Sequence, residues 1–254
     1  MSTRIEKPFC MVLVLTLLAF PILAHTDVYM KQKQHTDAYS VMGKNMPAED
    51  IIQEVWMKKG MIATIGPKQS IIMRSDKNVQ YIIDHEKKTY MEVSLDFSKM
   101  APGADMEDAA QMQNLMKNMM KNVKVSVRAT GEKKKINKWA CEKYIQEVEM
   151  FMGPMTMEIW ATEDIKIDQT LLTQYFAGQF AAIPGMGQQM EAIMKESKKI
   201  KGAHVLTKTT MDMMGSQIKT SVELMEYKNT NAPNSVFNIP KGYKKTKMMG
   251  PGMQ

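Results

Sequence analysis

Residues able to carry chemistry are few in this 254-residue chain, and all but one type are scattered. The four histidines, His25, His35, His85 and His204, stand far apart, and so do the two cysteines, Cys10 and Cys141. Acid–base or nucleophilic catalysis needs groups whose pKa or reactivity is tuned by neighbours. The sequence holds no Gly-x-Ser-x-Gly elbow, no His-Glu-x-x-His, no glycine-rich phosphate cradle and no Cys-x-x-Cys. Asp84-His85-Glu86 does group three ionisable side chains, but at a place where a hairpin must turn, which reads as solvated turn chemistry. Cys141 reads as an inert core thiol, because cysteine is among the most buried residue types.

Methionine is the exception, with 29 copies against 7 phenylalanines. Three clusters stand out: Met112, Met116, Met119 and Met120; Met150, Met152, Met155 and Met157; and Met211, Met213 and Met214. Flexible thioethers suit plain core filling, and they suit equally a pocket that must conform to acyl chains. Clustered thioethers are also soft ligands for Cu(I), for which Met112, Met116 and Met119 are the candidates. All three readings stay open at this point. The candidate lining of an apolar ligand cavity is Met57, Met73, Tyr81, Met112, Met116, Met119, Phe176 and Phe180, with no cofactor implied.

The elements that must position these residues are mostly strands. From Ile51 to Val93 five short runs alternate with period two, and Gly60, Gly66-Pro67 and Ser75-Asp76-Lys77-Asn78 mark corners between them. That pattern predicts an antiparallel meander. Ile62, Ile72 and Ile82 put apolar residues on its second face too, so both faces need cover. Ahead of it, Val28–Thr36 and Tyr39–Asn45 read as strands. After it, Asp105 can cap a helix running to Lys121, with Met106, Ala109, Met112, Met116 and Met119 on one face. Strands resume at Val123, Gly131–Lys135 reads as a charged turn, and Ile136–Trp139, Lys143–Phe151 and Thr156–Ala161 follow. A second helical region carries Leu171, Leu172, Tyr175, Phe176 and Phe180, then Met186 to Met194 beyond Pro184-Gly185. Ala203–Met213 and Gln217–Tyr227 form a last strand pair, and Val236–Tyr243 closes the chain before a basic tail.

The expected fold is therefore mainly β with α: a strongly curved antiparallel sheet, a half-closed barrel of about 11 strands, with helices packed on the concave side. Met1–Ala24 reads as a secretory signal peptide, with Arg4 and Lys7 before an apolar run from Phe9 to Phe20, then Pro21 and a small residue at Ala24. Residues 25–243 are expected to form one domain and 244–254 a flexible basic tail. The expected compartment is periplasmic or extracellular, where a lone Cys141 leaves no internal disulfide. A net charge of +7 suits contact with an anionic membrane surface and is too diffuse to argue for nucleic acid. Nothing in the sequence sets the oligomeric state.

Four phrases in the second half carry a resemblance: KKKINKWACEKY (Lys133–Tyr144), EIWATEDI (Glu158–Ile165), KGAHVLTKTT from Lys201, and SVFNIPKGYKK from Ser235. In that order they resemble the exported bacterial family catalogued as domain of unknown function 4412. That family is similar in architecture to the periplasmic lipoprotein carriers (LolA/LolB-like), in which a curved sheet and helices enclose an apolar cavity. The resemblance implies a non-catalytic protein that binds a hydrophobic or lipidic ligand. No set of functional residues comes with it.

Overall fold

The computed structural model describes residues 27–41, 43–95, 124–150, 153–168, 171, 193–213 and 215–246. Twelve of its strands form one sheet. Strand β1 (Val28–Thr36) leads through a small separate hairpin, β2 (Tyr39–Val41) and β3 (Lys44–Met46), into the first meander. That meander is β4 (Glu49–Lys58), β5 (Met61–Ile65), β6 (Gln69–Arg74), β7 (Val79–Asp84) and β8 (Thr89–Ser94). A second one follows: β9 (Lys124–Ile136), β10 (Trp139–Met150), β11 (Gly153–Thr162), β12 (Ala203–Met213) and β13 (Ser216–Asn229). Finally β14 (Lys244–Lys245) lies parallel to β8. The order across the sheet is β14-β8-β7-β6-β5-β4-β1-β13-β12-β11-β10-β9. Strand β1 is thus the seam between two meanders, paired antiparallel with β4 on one side and β13 on the other.

This arrangement corrects the half-closed barrel with helices on its concave side. The outer strands β14 and β9 are not partners, so the sheet is open. α-Helix among the described residues comes to residue 171 and the short run 193–197, beside two 3-10 turns at Ser75–Lys77 and Asn234–Phe237. The helices, read from apolar residues at helical spacing, were placed on the sheet to cover its apolar faces, but among the described residues the cover comes from elsewhere. On one face a C-terminal strap (232–243) sets Ala232 and Phe237 against Ala63, Ile72 and Ile83. On the other, Met30, Val55, Met57, Ile62 and Met73 belong to one core with Trp139, Trp160, Val205 and Leu224 from the second meander. The helix expected from Asp105 to Lys121 lies outside the described residues, and so does the second helical region apart from Leu171, Ile193 and Met194.

Smaller differences have local causes. Gly131–Lys135 is not a turn: β9 runs straight through it, and the two-residue corner falls at Asn137-Lys138, where Asn137 has φ 53°. Three lysines in a row fit a strand here because β9 is an edge, and lysines on an edge discourage pairing with other chains. Gly131, at φ 79°, sits where the register with β10 shifts between Glu142 and Tyr144. The strand expected at Tyr39–Asn45 is the β2–β3 hairpin. Lys244 and Lys245, expected in the tail, are the two residues of β14, and Lys245 pairs with Glu92. Beside β9, Glu196 accepts a hydrogen bond at 2.9 Å from the Val127 amide, satisfying one donor of that edge.

The second meander also folds back on itself. Asn137, at the β9–β10 corner, donates through Nδ2 to Glu223 Oε1 at 3.0 Å and to the Leu224 carbonyl at 3.3 Å. In a flat sheet β10 and β13 would stand about 14 Å apart, three strand spacings. The hairpin tip therefore arches over β11 and β12.

Candidate functional site

Period two puts a distinct set of side chains on the core face of the first half. Gln32 stands opposite Gln53, and Gln34 opposite Ile51. Next to them Ile62 pairs with Met73, Thr64 with Ile71, and Met73 in turn with Gln80. Toward one end this face is solid: Val55 and Met57 are fully buried and Val28 is nearly so. Toward the other it opens into a trough of about 570 Å³, reached by β1, β4, β5, β6, β7 and Val222 of β13. That volume lies within the roughly 300–1,000 Å³ of small-molecule sites.

The trough is half apolar and half amide. Ile62, Ile71, Met73 and Val222 form apolar wall, while Gln32, Gln34, Gln53, Gln69 and Gln80 bring carboxamides. Gln53 donates through Nε2 to Gln32 Oε1 at 3.2 Å. Gln32 and Gln80 are both buried, and Gln80 Oε1 has no hydrogen-bond partner among the described residues. At the rim, Lys68 donates to Glu49 at 2.7 Å, which raises the lysine pKa, chiefly through that hydrogen bond. The rim corner is Gly66-Pro67, closed by a hydrogen bond from the Gly66 amide to the Gln69 carbonyl at 3.0 Å. A Cβ on Gly66 would stand 2.9 Å from that same backbone oxygen. Gly66→Ala is therefore expected to cost about 1 kcal/mol by crowding the corner. Chemical denaturation checks this, and an unchanged midpoint would show that the corner yields freely.

The candidates from the sequence divide accordingly. Met57 and Met73 share the core face, Met57 within the solid part and Met73 on the trough wall. Tyr81 is on the opposite face, paired with Ile72 and Glu92 and set edge-on to Tyr90 at 6.2 Å between ring centroids. Met112, Met116, Met119, Phe176 and Phe180 lie outside the described residues, so the Cu(I) reading has no geometry here. The glutamines were missed. Their signal is present in VYMKQKQHT, where Gln32 and Gln34 continue the alternation of Val28 and Met30 as polar members of an apolar face.

Two other groupings have structural explanations. Ser70 Oγ lies 2.7 Å from His85 Nε2, and Tyr243 OH lies 2.9 Å from His85 Nδ1. The residues suggest a nucleophile and base, but Ser70 is only 3 % exposed on the strap-covered face, and the trio ties Tyr243 to the sheet as a clasp. Cys141 is buried in the core, donates to the Trp139 carbonyl at 3.6 Å, and has its thiol pKa pushed up by burial, which disfavours the reactive thiolate.

Comparison with known proteins adds one match. The family model of a domain of unknown function, DUF4412, matches residues 27–243, from the start of β1 through the strap. No curated protein matches the chain.

Proposed function

From the premise that the chain belongs to the DUF4412 family, we propose that it is an exported, non-catalytic protein that holds a hydrophobic or lipidic ligand in the trough between β1 and β7. The observation that carries this reading is a core face that the described residues leave unfilled at one end. Beside the fully buried Val55 and Met57, the same face opens to about 570 Å³ with Ile62, Ile71 and Met73 on its wall. Protein interiors pack to near-crystalline density, and an apolar recess continuous with such a core is the kind of concavity an apolar ligand fills. Export is supported by Met1–Ala24, whose basic start, apolar run and small final residue suit a secretory leader, and a periplasmic or extracellular site follows. The likeness to lipoprotein carriers is proposed here as one of role only, an acyl chain held against a sheet. The net charge of +7 supports passing contact with an anionic membrane surface during loading.

Native mass spectrometry of the exported protein, purified gently without detergent, tests the proposal. The expected result is extra mass that organic extraction releases as lipid, with occupancy lost when Ile62 and Ile71 are replaced by Asp. A bare polypeptide mass, unchanged on incubation with lipid extract, would sink it.

A further inference from the structure

The polar half of the trough narrows the ligand class, and this step rests on the binding reading above. We infer that the ligand is a neutral amphiphile: an aliphatic chain whose polar end carries an uncharged N–H or O–H donor, received by Gln80. Gln80 is 6 % exposed and lines the trough, and its Oε1 is buried without a hydrogen-bond partner among the described residues. Buried acceptors are almost always paired, so one left open beside a cavity marks where a donor belongs. The nearby amides do not supply it: Gln53 turns toward Gln32, and no amide among the described residues bonds Gln80 Oε1.

Two further observations fix the character of the polar end. Among the described residues, the only charged side chains lining the trough, Glu49 and Lys68, are bonded to each other at 2.7 Å, so neither a carboxylate nor an ammonium finds a free counter-charge there. Met73 is the direct cross-strand neighbour of Gln80 and Ile62 the neighbour of Met73, which runs the apolar wall right up to the open acceptor. A head group bonded to Gln80 would thus lay its chain along Met73 and Ile62. A primary fatty amide or a fatty alcohol fits this description. A fatty acid anion fits less well, because it brings no donor for Gln80 Oε1 and meets no free counter-charge.

Calorimetric titration with decanamide, methyl decanoate and sodium decanoate tests the inference on the exported protein. Decanamide is expected to bind roughly tenfold more tightly than methyl decanoate, the value of one hydrogen bond to a buried acceptor, and decanoate more weakly than decanamide. In Gln80→Leu the ratio of decanamide to ester affinity is expected to fall to about one. The ligand-free variant should melt at the same temperature as the parent or higher, since an unpaired buried acceptor has gone. Gln80→Met provides the same readout should the leucine variant not fold. A ratio near one in the parent protein, or a tenfold ratio that survives in both variants, overturns the inference and leaves the binding reading standing. No binding of any of the three overturns both.

Discussion

Phe237→Ala is expected to lower the free energy of unfolding by about 3–5 kcal/mol, the range for deleting a buried aromatic. Phe237 is 1 % exposed in the short turn Asn234–Phe237, and its ring belongs to the cluster with Ala63, Ile72 and Ile83 on the outer face of the first meander. Polar contacts along the strap support the ring. Arg74 donates to the Phe237 carbonyl at 3.2 Å, Asp27 accepts from the Ala232 amide at 2.9 Å, and His85 meets Tyr243. Without the ring the strap loses its anchor, and Trp56, partly buried in the same cluster, gains water. Urea unfolding followed by tryptophan emission checks the size of the loss, and protease cutting within 232–243 checks its place. A loss below about 1 kcal/mol would mean that the sheet face is stable without the strap.

The second large effect depends on pH. Burial lowers the pKa of His204, on β12, from 6.5 to about 4. Well above pH 6.5 the imidazole is neutral both folded and unfolded, and the fold has its full stability with respect to this group. As pH falls below 6.5 the unfolded chain takes up a proton that the folded chain refuses until about pH 4, so stability drops through that window and levels off beneath it. Between pH 7 and pH 5 the loss amounts to about 2 kcal/mol. Several carboxylates, among them Asp50, Asp84 and Glu158, have lowered pKa values, so their contributions fade at still lower pH and stay out of this interval. Denaturation midpoints at pH 7, 6 and 5 for the parent and for His204→Gln isolate the effect. The parent is expected to lose stability and the variant to stay nearly level. Parallel slopes in the two proteins would assign the acid sensitivity to other groups.

The strands of the first meander were legible because each run obeys period two and each corner is marked by Gly, Pro, Asn or Asp. Register was less so: Met73 and Tyr81 both look like apolar members of alternating runs, yet Met73 faces Gln80 and Tyr81 faces Ile72. Which of two apolar sets faces the core depends on pairing, and a slip of one residue exchanges them. The hairpin at Asn137-Lys138 was hidden by the charge of Lys133 to Lys135, since charge resembles a turn until the strand is known to be an edge. The cover of the sheet was misassigned because the need for apolar cover is visible in a sequence and its source is not. VFNIPKGY reads as a closing segment either way. The trough was invisible for a related reason: glutamines in strands look solvent-facing until β1, β4 and β7 are brought together on one face.

The place of β1 sets the order in which this molecule can be assembled. Val28 is paired with Met57 on one side and with Asn229 on the other, so the first seam closes within a short stretch of chain and the second needs almost all of it. Contacts this distant in sequence form late and slowly. A nascent chain therefore holds β1 and β4 together while the far edge of β1 lies bare, and it stays vulnerable to pairing with a neighbouring chain until β13 arrives. Under the export proposed above, that delay is an asset: the chain does not lock into its final form before its last strands exist.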